Sequence, residues 1–138
     1  MTDSLMHWAF DYLGKPWVSG EQGPQAFDCW GLVRYVQKAH YGRDLPSIVV
    51  DADNIRAVVK EFTGNDERGR WVEVPAPADG DCLLLSQSKE PTHVGIWLDV
   101  DGGGLLHAVQ GAGVVFSSQS NIKLLGYNVL GAYRCSQP

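Results

Sequence analysis

The stretch AFDCWGLVRYV, residues 26–36, brings an acidic residue and a cysteine to the point where a loop gives way to an apolar periodicity. Asp28 is the kind of residue that starts a helix, because its carboxylate can accept from the unpaired backbone N–H groups of the first turn. Cys29, Leu32, Val33, Val36 and His40 then follow the spacing of one helix face until Gly42, with Pro46 beyond it. The pattern predicts a helix that begins at Cys29 and turns this cysteine inward. A thiol at such a position sits at the positive end of the helix dipole, which stabilises an anion. Since the thiolate is the attacking form, the placement predicts a Cys29 pKa lowered toward neutrality. A buried, inert cysteine is the competing reading, and a base nearby would decide between the two.

Upstream, Leu5, Trp8, Ala9, Tyr12 and Leu13 predict a first helix behind Asp3 and Ser4 that ends at Gly14. The Gly- and Pro-rich segment 14–27 reads as a loop leading into the motif. Downstream, Ile55, Val58, Val59 and Phe62 predict a shorter third helix behind Asp53. From Trp71 the period changes to two, with strands expected at 71–74, 81–86, 92–98, 104–109, 112–117 and 127–133. Helices first and strands afterwards is the order of an α+β fold, with N-terminal helices packed on a C-terminal antiparallel sheet of five to six strands. A chain of 138 residues, 44% hydrophobic and 20% charged, fits a single domain over 1–138.

The bulk charge excludes several partners. A net charge of −5 with 11 scattered Lys and Arg residues gives no basic stripe for nucleic acid. The opening MTDSLMHWAF has no basic segment followed by an apolar run, and no apolar stretch approaches the roughly 18 residues of a membrane span, so neither an export signal nor a membrane anchor is expected. Cys29, Cys82 and Cys135 are odd in number and widely spaced, which predicts at least one free thiol and no zinc site. Cys82 and Cys135 read as structural. The segment DVDGGG, 99–104, lacks the later ligands of a calcium loop and reads as a turn, so no metal is expected.

The base is sought among His7, His40, His93 and His107. THVGIWLDVDGGGLLHAVQ, 92–110, reads as a β-hairpin turning around Asp99–Gly104. If His93 and His107 face each other, the midpoint falls at Val100, inside or beside that turn, and residues so opposed are close enough for one imidazole to orient the other. A slip of one residue would send the two rings to opposite faces. His40, near a helix end, complements the dipole, and neither it nor His7 is given a role.

Six segments in this order, LGKPWVSG, FDCWGLVRYV, LPS, GDCLLL, THVGIWL and LLHAVQGAGV, resemble those of the NlpC/P60 cysteine peptidases, a papain-like family that cleaves the peptide stems of bacterial peptidoglycan. The resemblance implies Cys29 as nucleophile, His93 as general base and His107 as the polar residue that orients the base, with no cofactor. It also implies substrate contacts in the opening loop and nucleophile motif, at Trp17, Ser19, Asp28 and Trp30, Asp28 being a helix cap first. Trp17 stands where the family usually has tyrosine, which implies a lost hydroxyl contact. Trp30 stands where most cell-wall members have serine, and Asp-Cys-Trp-Gly is similar to members encoded in bacteriophage tail-assembly regions. The resemblance thus implies a virion component that meets peptidoglycan stems and tail-tip proteins, held in the tail or in the host cytoplasm during assembly and acting on the wall in the periplasm. The bond implied is the D-glutamyl-diaminopimelate link. Two other readings stay open: a catalytically silent tail structural or hub-docking protein, and a thiol amidase or acyltransferase with another substrate.

Overall fold

The computed structural model describes residues 7–45, 71–87 and 90–135. The third helix expected near 55–62 and the opening residues of the first lie outside them. Within the described part of the first, Trp8–Asp11 forms a 3-10 turn in place of an α-helix, capped by His7, whose Nδ1 accepts from the Ala9 N–H at 3.0 Å. The aromatic side chains nearby explain why the turn stays tight. Trp8 stacks on His40 with ring centroids 3.7 Å apart, and the Tyr12 hydroxyl lies 2.9 Å from His40 Nε2. His40, exposed at the far end of the central helix, is thereby part of a structural clasp.

That central helix, α1, spans Cys29–Tyr41. Asp28 caps it as expected, and Gly42 closes it in the left-handed conformation at φ 67°, which a side chain would strain. Among the described residues there are six strands, β1 (Trp71–Val74), β2 (Cys82–Gln87), β3 (Glu90–Leu98), β4 (Gly104–Val109), β5 (Gly113–Ser117) and β6 (Tyr127–Cys135). They form one sheet in the order β1-β6-β2-β3-β4-β5, antiparallel throughout. A second helix, α2 (Gln119–Leu124), is not legible in the sequence; Ser118 caps it by accepting from Asn121 N–H. No described helix is long and apolar enough to cross a membrane.

Strand alternation divides the core in two. One face of the sheet presents Leu84, Val94, Ile96, Leu98, Leu106 and Ala108, which join Leu32, Val33 and Val36 of α1 in the main core. The opposite face presents Leu83, Leu85 and Leu105, which pack with Ile122 of α2. The pairing of β3 with β4 runs from Leu98↔Gly104 to Ile96↔Leu106. At the other end of β3, His93 pairs with Leu85 and Pro91 with Ser86, so Thr92 is a bulged extra residue beside His93.

An ion pair on the buried Asp81 carboxylate pins the start of β2. Arg134 donates to Asp81 through Nε at 3.0 Å and through its terminal nitrogen at 2.9 Å, a bidentate fork that ties β6 to the turn before β2. Asp81 also accepts from the Ala78 N–H at 2.7 Å. Cys82 and Cys135 are buried free thiols, as is Cys29, so the structural reading of the first two stands.

Candidate active site

Asp28 positions Cys29 by local means. Its Oδ1 accepts from the Gly31 N–H at 2.7 Å, and its Oδ2 accepts from the Gly20 N–H at 2.9 Å. Further backbone bonds, Val18 N–H to Phe27 O and Asp28 N–H to Glu21 O, fold the 14–27 loop back over the helix start. Gly31 is what permits this closeness. A Cβ there would run into the carbonyl oxygen of Glu21 and come within 2.9 Å of Gln22 Cα. Burial raises the Asp28 pKa, and the Gly31 and Gly20 amides oppose the rise.

Cys29 emerges at the place where β3 and β4 cease to pair. The backbone N–H of Val94, two residues past the Ile96↔Leu106 pair in β3, is aimed at the Cys29 sulfur and favours its thiolate, as do the N–H groups of Trp30 and of Cys29 itself. The net direction nevertheless corrects the sequence expectation. Burial, with the Asp28 carboxylate as the second cause, pushes the thiol up to about 12. Helix-start amides are present, but at 5% exposure the loss of water outweighs them.

The histidines belong to the other face of the sheet. Their register also differs from the expected one: continuing the β3–β4 ladder puts Gly95, not His93, across from His107. His93 is the diagonal neighbour, two residues along and on the same face, within reach of a ring. The outcome for the pair is the one anticipated, since His93 Nε2 lies 2.7 Å from His107 Nδ1. Gly95 makes room for it, because a Cβ there would stand 3.0 Å from His107 Cβ and closer still to Leu105. Tyr127 at the start of β6 stacks on His93, with centroids 5.0 Å apart and planes 19° from parallel. Burial holds His93 down to about 3, with His107 adding to the effect, and burial alone holds His107 down to about 4.

The two faces are joined at this split in the sheet. Cys29 lies against Val94, the residue after His93, and its charge is felt by Tyr127, whose ring covers His93. With Nε2 of His93 engaged by His107, Nδ1 is the ring nitrogen that His107 leaves over. Both partners are held neutral by desolvation, so the resting site stores a thiol and an imidazole. A proton passed from such a thiol to such an imidazole would create an ion pair without net charge, with the helix amides acting on the sulfur.

Not all of the expected substrate contacts keep a surface. Trp30 is fully buried in the main core and cannot touch a substrate; the wide indole is core packing under the helix. The Asp28 carboxylate is 1% exposed with both oxygens engaged, so it is a structural cap. Trp17 is half-buried, its backbone bridged to Phe27, and Ser19 is exposed on the same loop. Two further contacts are not evident from the sequence. Ser117, whose Oγ lies 2.9 Å from His107 Nε2, ends a predicted strand as its one polar residue, and Tyr127 opens another. Tyr127 also lines a groove of about 750 Å³ on this face, together with Glu73, Trp97, Lys123 and Leu130. Among the described residues no group of His, Cys, Asp or Glu is placed to hold a metal ion.

Residues 14–130 match the model of the NlpC/P60 family. The chain is 31% identical over 102 residues to Protein P54 of Enterococcus faecium, a stretch that covers 74% of this chain and 17% of that protein, so it spans under a fifth of this curated relative. Among solved structures it is similar to the NlpC/p60 domain of the peptidoglycan hydrolase SagA, with a TM-score of 0.59 and 28% identity over 91% of this chain and 92% of that one. NlpC2 from Trichomonas vaginalis superposes with a TM-score of 0.61 and 25% identity, over 94% of this chain and 44% of that one.

Proposed function

The chain belongs to the NlpC/P60 family, and on that footing we propose that it is a cysteine peptidase that hydrolyses amide bonds in the peptide stems of peptidoglycan. The observation that carries the reading is the bond between His93 Nε2 and His107 Nδ1 beside a helix-start cysteine. In the reaction, Cys29 attacks the scissile carbonyl as His93 takes its proton. The N–H of Cys29, which has no acceptor within the helix, stabilises the oxyanion that forms. His93 then returns the proton to the leaving amine, and water releases the acyl group from the thioester. His107 holds the imidazole in orientation throughout.

The finer parts of the proposal are the D-glutamyl-diaminopimelate bond and a place in a bacteriophage tail, beside tail-tip proteins. The bond rests on the resemblance to the family as a whole, and the tail on the similarity of the Asp-Cys-Trp-Gly motif to tail-assembly members. Digestion of purified sacculi with the wild type and with Cys29→Ala, followed by mass spectrometry of the released muropeptides, tests both chemistry and bond. New amino termini on diaminopimelate with the wild type alone are expected. Intact stems with both proteins would refute the hydrolase reading. Immunoblots of purified virions should detect the protein in particles, and its absence there would refute the tail assignment.

A further inference from the structure

His107 does not end the line of polar groups. Its Nε2 lies 2.9 Å from the hydroxyl of Ser117, which is 4% exposed on β5. The β4–β5 register pairs His107 with Val115 and Leu105 with Ser117, so Ser117 is a diagonal neighbour of His107 on the same face. His93 is the diagonal neighbour on the other side. The three side chains therefore form one buried line across β3, β4 and β5, ending at a hydroxyl.

The direction of the protons along this line decides whether the base can work. If His93 Nδ1 is to accept from Cys29, a neutral His93 must carry its proton on Nε2 and donate it to His107 Nδ1. His107 must then carry its own proton on Nε2 and donate to Ser117. In the reverse arrangement the serine hydroxyl donates to His107 Nε2, His107 donates from Nδ1, and His93 is left with a proton on Nδ1 where the thiol needs a lone pair.

We propose that Ser117 is a positioning residue that accepts from His107 Nε2–H and anchors the His107 ring, so that His107 Nδ1 stays placed to receive His93 Nε2–H and His93 Nδ1 is left to take the Cys29 proton. The inference rests on the thiol-hydrolase reading for its purpose, but its geometry stands apart from any substrate. The hydroxyl can partner His107 Nε2 in either protonation state, so an alanine removes the anchor of the ring and leaves its outer nitrogen without a partner. Threonine keeps the hydroxyl.

Two readouts independent of peptidoglycan test this: long-range nitrogen-15 NMR of the imidazoles, which reports the protonated nitrogen, and the rate of Cys29 alkylation by iodoacetamide at neutral pH. In the wild type, Nε2–H is expected on both His93 and His107. Ser117→Ala should slow alkylation roughly tenfold, the scale on which an orienting partner acts, and Ser117→Thr should restore most of the rate. Where sacculi are cut, Ser117→Ala should lower kcat with KM unchanged. A wild-type His107 protonated on Nδ1 would overturn the proposal, as would a folded Ser117→Ala protein with unchanged alkylation. Should the alanine variant not fold, the wild-type spectrum and the threonine variant decide. If the alkylation rate follows Ser117 while the wild type leaves sacculi intact, the hydrolase reading fails and the anchoring role stands.

Discussion

Cys29 is positioned by a short continuous stretch, 20–31, in which Asp28 bonds Gly20 on one side and Gly31 on the other. The histidine pair is positioned by four strands, with His93 on β3, His107 on β4, Ser117 on β5 and Tyr127 on β6. The first half needs a local turn to form; the second exists only when the whole sheet is in register. Both halves are dry, yet burial acts on them with opposite sign. It raises an acid that is neutral when protonated and lowers a base that is neutral when deprotonated, so each half is driven toward its uncharged form.

Removing the proton carrier should break the comparison most severely. His93→Ala is expected to lower hydrolysis of sacculi by about 10⁴-fold, and the His93→Ala/His107→Ala double variant to be scarcely worse, because residues that act as a unit do not add. Turnover measured alongside circular dichroism checks this; a double variant much worse than His93→Ala alone would show that His107 acts independently of the base.

The pH dependence of stability separates the halves next. The folded pKa values of His93 and His107 lie below the unfolded value, so the unfolded chain binds more protons in acid. Stability is full above about pH 6.5 and is lost as pH falls toward about 4, by on the order of 3 kcal/mol through His107. The Cys29 thiol has the opposite sign: its raised pKa contributes stability below about pH 9 that is lost as pH climbs toward 12. Urea midpoints across pH should therefore bend at both ends. His107→Gln should flatten only the acid limb, and an unchanged acid limb would show that His107 is not buried neutral.

The smallest effect is expected at Gly31, where the local half can be strained alone. Gly31→Ala forces a methyl against the Glu21 carbonyl and should cost about 2 kcal/mol, within the range of overpacking. The loop over the helix start should loosen, lowering the melting temperature while the His93–His107 bond, read by NMR, stays as it is. A stability equal to the wild type would mean that the loop is free to move away.

Much of the local half is legible in the order of the residues. Asp28, Cys29 and the apolar positions of α1 announce their helix because capping and 3.6-residue periodicity act within a few residues of chain. The strands at 71–74 and 104–109 show their bounds for the same reason, through alternation and flanking turn residues. Trp8–Asp11 carries the spacing of an α-helix, yet it tightens into a 3-10 turn because its aromatic partners come from α1, distant in sequence. Trp30 has the look of a site residue in the sequence because adjacency to Cys29 says nothing about which way a helix turns the next side chain.

By itself the sequence determined the helix start, the free thiol upon it, the α+β order and the two histidines of one hairpin. These depend on neighbours in the chain, where caps, periods and turns operate. Only the tertiary structure decided that His93 meets His107 diagonally, that Ser117 and Tyr127 complete their surroundings and that the Cys29 thiol is raised. Register across a sheet and removal of water are properties of packed surfaces, assembled from residues far apart in the chain.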